Sequence, residues 1–263
     1  MSKTYLEVLP DPKRVIEGLR DTGYQIETAI EDIIDNSIAA EATKIDVRLE
    51  MDHEGNIEVF IADNGYGMNE SDLINAMRYG SRVHPSPTSL GKFGLGLKTA
   101  STAFCRELSV ISKDKKTEKP VKASWDLDHV ARVGKWELAI SSPTTDELER
   151  LRSVAGDSSG TLVIWRKVDR LIKTYSDPGG IHARRALEKV VEGLIEHSSM
   201  VYQRFLDHTD TRAPNIEISI NGRKIESYNP FVPEESDCVA EENVTVEING
   251  GKEAVITVRA FIL

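Results

Sequence analysis

Between Tyr24 and Ala42 the apolar residues Ile26, Ala29, Ile30, Ile33, Ile34 and Ile38 recur at three- and four-residue intervals. That spacing gathers them on one side of an α-helix. Downstream the period shortens to two. KIDVRLEM (44–51) and NIEVFIAD (56–63) alternate apolar with polar residues around the turn-forming DHEG, which predicts a β-hairpin. Residues 71–78 predict a short helix, and the stretch from Tyr79 to Gly96, rich in Gly, Ser and Pro, predicts a mobile loop. LKTASTAF then reads as a short helix, and ELSVISK, PVKASWDL, KWELAIS and TLVIWRKV read as strands. A long helical pattern runs from Gly180 to His208. After it, IEISI and RKIES flank Asn221-Gly222, a dipeptide suited to a tight hairpin turn, and VTVEINGGKEAVITVRAFIL is again strand-like.

Composition narrows the classes of function. The chain has 263 residues, 40% of them hydrophobic, which is enough for a proper core. Its formal charge of −10 argues against a protein whose main task is to grip phosphate backbones. Cys105 and Cys238 stand far apart without a His or Cys at ligand spacing, so neither a zinc site nor a disulfide framework is expected. No apolar signal core opens the chain, and no stretch approaches the ~18 consecutive apolar residues of a membrane span. The expectation is a cytoplasmic protein without a membrane partner. The final segment stops while still apolar, from which a fragment of something longer is expected.

Candidate chemistry collects in four pieces. On the first long helix, Asp32 and Asn36 are four residues apart, about 40° around the axis, whereas Glu31 lies roughly 140° from Asn36. A carboxylate and a carboxamide on one edge of the apolar stripe suit a water-polarising base and an oxygen ligand for a hard cation. Alone, the pair also fits ordinary surface polar residues. At the end of NIEVFIAD, Asp63 is followed by Gly65 and Gly67. A fixed carboxylate there can accept a hydrogen bond from an exocyclic amine, or Asn-Gly can simply turn the chain. In GKFGLGLKTAS, Gly91, Gly94 and Gly96 lead into a helix with Lys98 in its first turn, an arrangement suited to an anion but without P-loop or dinucleotide spacing. Finally, Gly160 and Thr161 open a strand, where the hydroxyl can meet a base, a water or nothing but its own strand.

The order of these pieces resembles the N box, G1, G2 and G3 motifs of the GHKL superfamily, and GLGLKTAS with GTLVIWRKV is most similar to MORC proteins and their bacterial relatives. The resemblance covers about Ile26 to Val168 and extends loosely through RFLDHTD and INGRKIESYNPF. It implies an α+β, two-layer sandwich (the Bergerat fold) with a mixed, mainly antiparallel sheet and helices on one face. It implies ATP and Mg²⁺ as ligands, with Asn36 on the metal, Asp32 as catalytic base, Asp63 on the adenine amine and Gly65, Gly67 and Met68 around the base. Gly94, Gly96 and Lys98 embrace the phosphates, Gly91, Lys92, Phe93, Leu95 and Leu97 complete the nucleotide-binding set, Thr161 assists at the base, and Tyr79–Leu95 forms a lid. It further implies an ATP-binding domain over 1–212, the start of a transducer-like domain over 213–263, an ATP-dependent homodimer of the full-length protein, and DNA or protein clients reached through regions outside this chain.

One departure stands out. Hydrolytic members usually carry Glu where this chain has Asp32, and a carboxylate set back by about 1 Å can cost on the order of 100-fold in rate. Slow hydrolysis is therefore expected, with a non-hydrolysing nucleotide switch and a histidine-kinase-type catalytic domain as the other readings. Lys113, Lys115, Lys116, Lys119 and Lys122 read as a solvated hairpin tip, His84 as an exposed loop residue, Asp35 as a structural partner, and Trp125, Trp136 and Trp165 as core or near-core residues on strands.

Overall fold

A computed structural model of the chain describes residues 3, 5, 6, 8, 10–80, 96–116, 119–230, 232, 235–248 and 252–262. In order, they form α1 (Pro12–Arg20), α2 (Ile26–Ala39), β1 (Lys44–Met51), β2 (Ile57–Asp63), α3 (Glu70–Met77), α4 (Gly96–Phe104), β3 (Cys105–Lys113), β4 (Val121–Asp126) and α5 (Leu127–Val133). There follow β5 (Ala139–Ser141), α6 (Thr145–Ala155), β6 (Gly160–Val168), α7 (Ile181–Val201), α8 (Gln203–Leu206), β7 (Glu217–Ile220), β8 (Arg223–Lys224), β9 (Asp237–Ile248) and β10 (Lys252–Ile262). The lid expected over Tyr79–Leu95, His84 within it, and Gly91, Lys92, Phe93, Gly94 and Leu95 lie outside the described residues from position 81 onward.

Local chemistry accounts for several boundaries. Asp11 caps α1 by accepting from the Arg14 amide at 2.8 Å, with Pro12 at the first helical position, where its missing N–H costs nothing. Thr144 and Glu147 close a reciprocal capping box at the start of α6. At the β7–β8 turn, Asn221 and Gly222 both take positive φ, +47° and +79°, as the hairpin dipeptide requires.

Eight strands make one sheet in the order β5-β4-β3-β6-β2-β1-β7-β8, antiparallel throughout except for the parallel pair β1–β7. This is the α+β, mixed and mainly antiparallel architecture expected. The predicted first hairpin pairs Ile45 with Asp63 and Met51 with Ile57. β9 and β10 pair with each other in a separate two-stranded ribbon.

Alternation along the central strands divides the core. Val59 and Ile61 of β2, Val163 and Trp165 of β6, and Leu108 and Val110 of β3 pack with α2, α4 and α7 in the main cluster. Their neighbours Phe60, Ala62, Leu162, Ile164 and Ile111 point the other way, onto Leu151 and Ala155 of α6. The sheet thus has α6 on its second face, and β2 is buried on both sides rather than half-exposed. KWELAIS yields a strand only at its last three residues, so Trp136 sits off the sheet, 37% exposed, with its ring 6.1 Å from that of Trp125. Trp125 and Trp165 are core residues, as expected. Lys113 and Lys122 are engaged, on the Asp157 carbonyl and on Glu147. Among the described residues no helix is long and apolar enough to cross a membrane.

Candidate functional site

The apolar stripe of α2, with Ala29, Ile30, Ile33 and Ile34 buried against the sheet, turns Asp32 and Asn36 to one edge. Asn36 is exposed, and its Nδ2 donates to the Asp32 main-chain carbonyl at 2.7 Å, which leaves the carboxamide oxygen as an outward acceptor. Asp32 is half-buried, and its Oδ2 accepts from the Tyr24 hydroxyl at 3.1 Å. Burial raises the Tyr24 pKa above the usual tyrosine value, so the hydroxyl remains a donor at neutral pH. The other acids of α2 face α7. Glu31 Oε1 lies 2.6 Å from His197 Nδ1, and the Tyr202 hydroxyl donates to Asp35 at 2.9 Å and to the Glu31 carbonyl at 3.2 Å. Burial pushes both the Glu31 and Asp35 carboxyls up. The 140° separation read from the sequence thus corresponds to two different neighbourhoods.

β2 delivers Asp63 to the same side of the sheet as Val59 and Ile61, under α2. It is 5% exposed and accepts from Ser37 Oγ and from the Gly65 amide, both at 2.9 Å. Loss of hydration pushes its pKa up to about 6, against the pull of those bonds and one from the Thr161 backbone. Thr161 stands directly across the β2–β6 ladder from Asp63, and its hydroxyl lies 2.8 Å from that of Ser112, which also accepts from the Met68 amide at 2.9 Å. One serine of β3 therefore ties the glycine turn to the start of β6.

The turn glycines meet their first demand from the protein itself. A Cβ on Gly65 would stand 2.7 Å from the Ala40 carbonyl oxygen, and one on Gly67, where φ is +66°, only 1.9 Å from that of Lys113. Both the conformation and the backbone contact exclude a side chain at Gly67. Gly67→Ala is expected to destabilise the fold by at least about 2 kcal/mol in chemical denaturation. A midpoint unchanged from wild type would contradict this packing.

The fourth piece is the start of α4. Gly96 is exposed, and a Cβ there would lie 3.5 Å from Asp32 Oδ2, so this helix begins against the candidate base. Leu97 is half-buried against the core. Lys98 is 2% exposed, its ammonium donates to the Ala76 carbonyl at 2.6 Å in the last turn of α3, and burial lowers its pKa to about 8. In this arrangement Lys98 joins α3 to α4 rather than standing in solvent.

The structure thus sets Asp32 and Asn36 on one edge of α2 with Gly96 against Asp32, and gathers Asp63, Gly65, Gly67, Met68 and Thr161 beside Ser37 and Ala40, while Lys98 is buried in α4 against α3. Ser37, Ser112 and Tyr24 were not among the expected residues. Ser37 had a signal: it is a polar residue on the buried stripe, four after Ile33. Ser112 had a weaker one, as a serine alternating with Val110 and Leu108 on an apolar strand face. Tyr24, just ahead of the helix, had none.

A family model described as histidine kinase-, DNA gyrase B- and HSP90-like ATPase matches residues 24–161, from Tyr24 through Thr161. The chain belongs to this family. The candidate site residues, from Asp32 to Thr161, all fall inside the matched span. Similarity to the MORC ATPases is distant: mouse ATPase MORC2B is 29% identical over 133 residues, and human ATPase MORC2 is 26% identical over 133 residues. Each alignment covers 46% of this chain and 13% of the relative, so the chain spans only a small part of the length of these proteins.

Proposed function

We propose that this chain is the Mg-ATP-binding and slowly hydrolysing module of a larger MORC-like ATPase. What carries the reading is the convergence on α2: Ser37 holds Asp63 on one side, while Asp32 stands against the start of α4 on the other. In this reading Asp63 accepts from the adenine amine, beside the Thr161 and Ser112 hydroxyls. Gly65, Gly67 and Met68 form the wall of the base pocket. The first-turn amides of α4, beginning at the exposed Gly96 and with Gly91–Leu95 before them, receive the phosphates, and Lys98, in that first turn, adds positive charge.

The donor set fits Mg²⁺. Among the described residues no three His, Cys, Asp or Glu side chains gather into a protein-only metal cage. Mg²⁺ in nucleotide sites characteristically takes one or two protein oxygens and completes its shell with phosphate and water. The Asn36 carboxamide oxygen is such a donor. Bound there, Mg²⁺ supplies charge neutralisation on the phosphate oxygens. The Asp32 carboxylate orients a water in line with the terminal phosphate and receives its proton, and the α4 amides stabilise the charge that develops.

Beyond the chemistry, ATP-driven closure of residues 79–95 and dimerisation of the full-length protein form the gating part of this reading, with DNA or protein clients bound by other regions. The β9–β10 ribbon belongs, in the same reading, to a transducer-like part, whose expected start at residue 213 moves past β8, because β7 and β8 are strands of the eight-stranded sheet and Ile218 and Ile220 lie in its core. A nucleotide switch without turnover is the second reading, favoured by the shorter side chain at Asp32. Calorimetric titration with ATP is expected to show binding that requires Mg²⁺, and sedimentation of full-length protein with a nonhydrolysable analogue is expected to show a doubled mass. Absence of nucleotide uptake by folded chain would sink the proposal, an unchanged mass would remove its dimeric part, and radiolabelled phosphate retained on protein would favour a kinase.

A further inference from the structure

We propose that Tyr24 is a positioning residue for hydrolysis, holding the Asp32 carboxylate in the orientation from which it activates water. The inference deepens the reading of Asp32 as base and rests on it. Tyr24 lies two residues before α2, and its ring packs against the main core. Its hydroxyl donates to Asp32 Oδ2 at 3.1 Å and is also hydrogen-bonded by the side chain of Thr99. Thr99 is buried in α4, three residues after Gly96, whose carbonyl its own hydroxyl reaches at 3.4 Å. A single phenol therefore joins the helix that carries the base to the helix that begins beside it. Gly96 faces the same Oδ2 that Tyr24 engages.

The chemistry gives this contact a purpose. An aspartate turns about two side-chain bonds, and in a half-exposed position several orientations are open to it. A donor whose own position is set by core packing selects one of them. One bond from the phenol to Oδ2 leaves the carboxylate with further lone pairs that can accept from a water. The tyrosine thus compensates for a side chain one methylene shorter than glutamate by restricting its orientation, since small misplacements of a base are costly.

Tyr24→Phe retains the ring and removes the donor. Its kcat for phosphate release is expected to fall about tenfold, the scale of one hydrogen bond to a charged group, while the calorimetric Kd for Mg-ATP and the KM stay within about twofold. In an Asp32→Asn background the same change is expected to have no further effect, because the group being positioned is gone. An unchanged kcat, or a loss appearing in binding instead, would overturn the proposal. Crystal structures of wild type and Tyr24→Phe with a nonhydrolysable ATP analogue give a readout independent of turnover. The Asp32 carboxylate is expected to leave its wild-type rotamer in the variant, and a carboxylate that stays in place would overturn the proposal. Wild-type protein that binds Mg-ATP without turnover would instead refute Asp32 as base, and the crystallographic comparison would still decide whether Tyr24 orients it.

Discussion

Asp63→Asn is expected to bind ATP at least about 100-fold more weakly than wild type and yet, without nucleotide, to melt at a higher temperature above pH 6. Both effects follow from one buried carboxylate. The Gly65 amide keeps the oxygen of the new carboxamide on its side, so the Oδ2 position becomes an NH₂, a donor set against the adenine amine, which also donates. Stability moves the other way. Asp63 has its pKa raised from 3.8 to about 6 by burial, so the folded protein holds the proton more tightly than the unfolded chain. The associated stabilisation is fully present below about pH 4 and is lost as pH rises through about 6, a total of about 3 kcal/mol from the size of the shift.

Asparagine stands in for the protonated acid at every pH. It is expected to flatten the stability profile between pH 4 and pH 8 and to raise the melting temperature at neutral pH by several degrees. Ser37 tolerates the exchange, because its hydroxyl already has a second acceptor in the Ile33 carbonyl at 3.3 Å and can receive from the new NH₂. Scanning calorimetry across this pH range, with ATP titrations on the same samples, checks both halves. Nucleotide affinity retained within about threefold would remove Asp63 from the base pocket. A variant no more stable than wild type at pH 8 would mean that the carboxylate is better solvated than its 5% exposure implies.

Asp32→Asn carries the second large effect: phosphate release is expected to fall by about 100-fold or more, with the Kd for Mg-ATP changed by no more than about threefold. The substitution is nearly isosteric. Asn36 bonds to the main-chain carbonyl of residue 32, not to its side chain, and the Tyr24 hydroxyl can still donate to a carboxamide oxygen. What disappears is the capacity to receive a proton. Glu31→Gln supplies the contrast on the same helix, since Glu31 is committed to His197 on the α7 side. Its turnover is expected to stay within about threefold of wild type, with a modest loss of stability from the weakened contact. If the Glu31 variant were the inactive one and the Asp32 variant active, the base would have been assigned to the wrong flank of α2.

The two flanks of α2 were legible in the sequence, because helical geometry converts residue number into angle. Asp32 with Asn36 on one flank and Glu31 on the other needed only the period of the apolar stripe, and the structure gives the two flanks different partners. The hairpin was legible from its alternation, but its register was not: a four-residue turn over DHEG would set Met51 opposite Asn56, whereas Met51 pairs with Ile57 and five residues make the connection. The Asn221-Gly222 turn likewise carries its backbone conformation in its two residue types.

Other features depended on partners far away in the chain. The unbroken apolar run VFIA fits a strand covered on both faces, but it does not say by what, because the covering residues, Leu151 and Ala155, arrive about ninety residues later on a helix with its own amphipathic logic. The parallel pairing of β7 with β1 joins segments separated by more than 160 residues. Lys98 was expected at phosphate on the strength of its neighbours in sequence, yet its ammonium rests on the Ala76 carbonyl, a contact set by the approach of α3 to α4.

Local periodicity, glycine placement and turn chemistry thus determined the elements and the identity of Asp32, Asn36, Asp63 and Thr161 as site candidates, since each of those signals acts over a few bonds. Tertiary packing alone decided the protonation tendency of Asp63, the inward course of Lys98 and the pairing of Tyr24 with Asp32. Those properties are set by how much water is excluded and which donor comes within about 3 Å, quantities that exist only once distant segments have packed together.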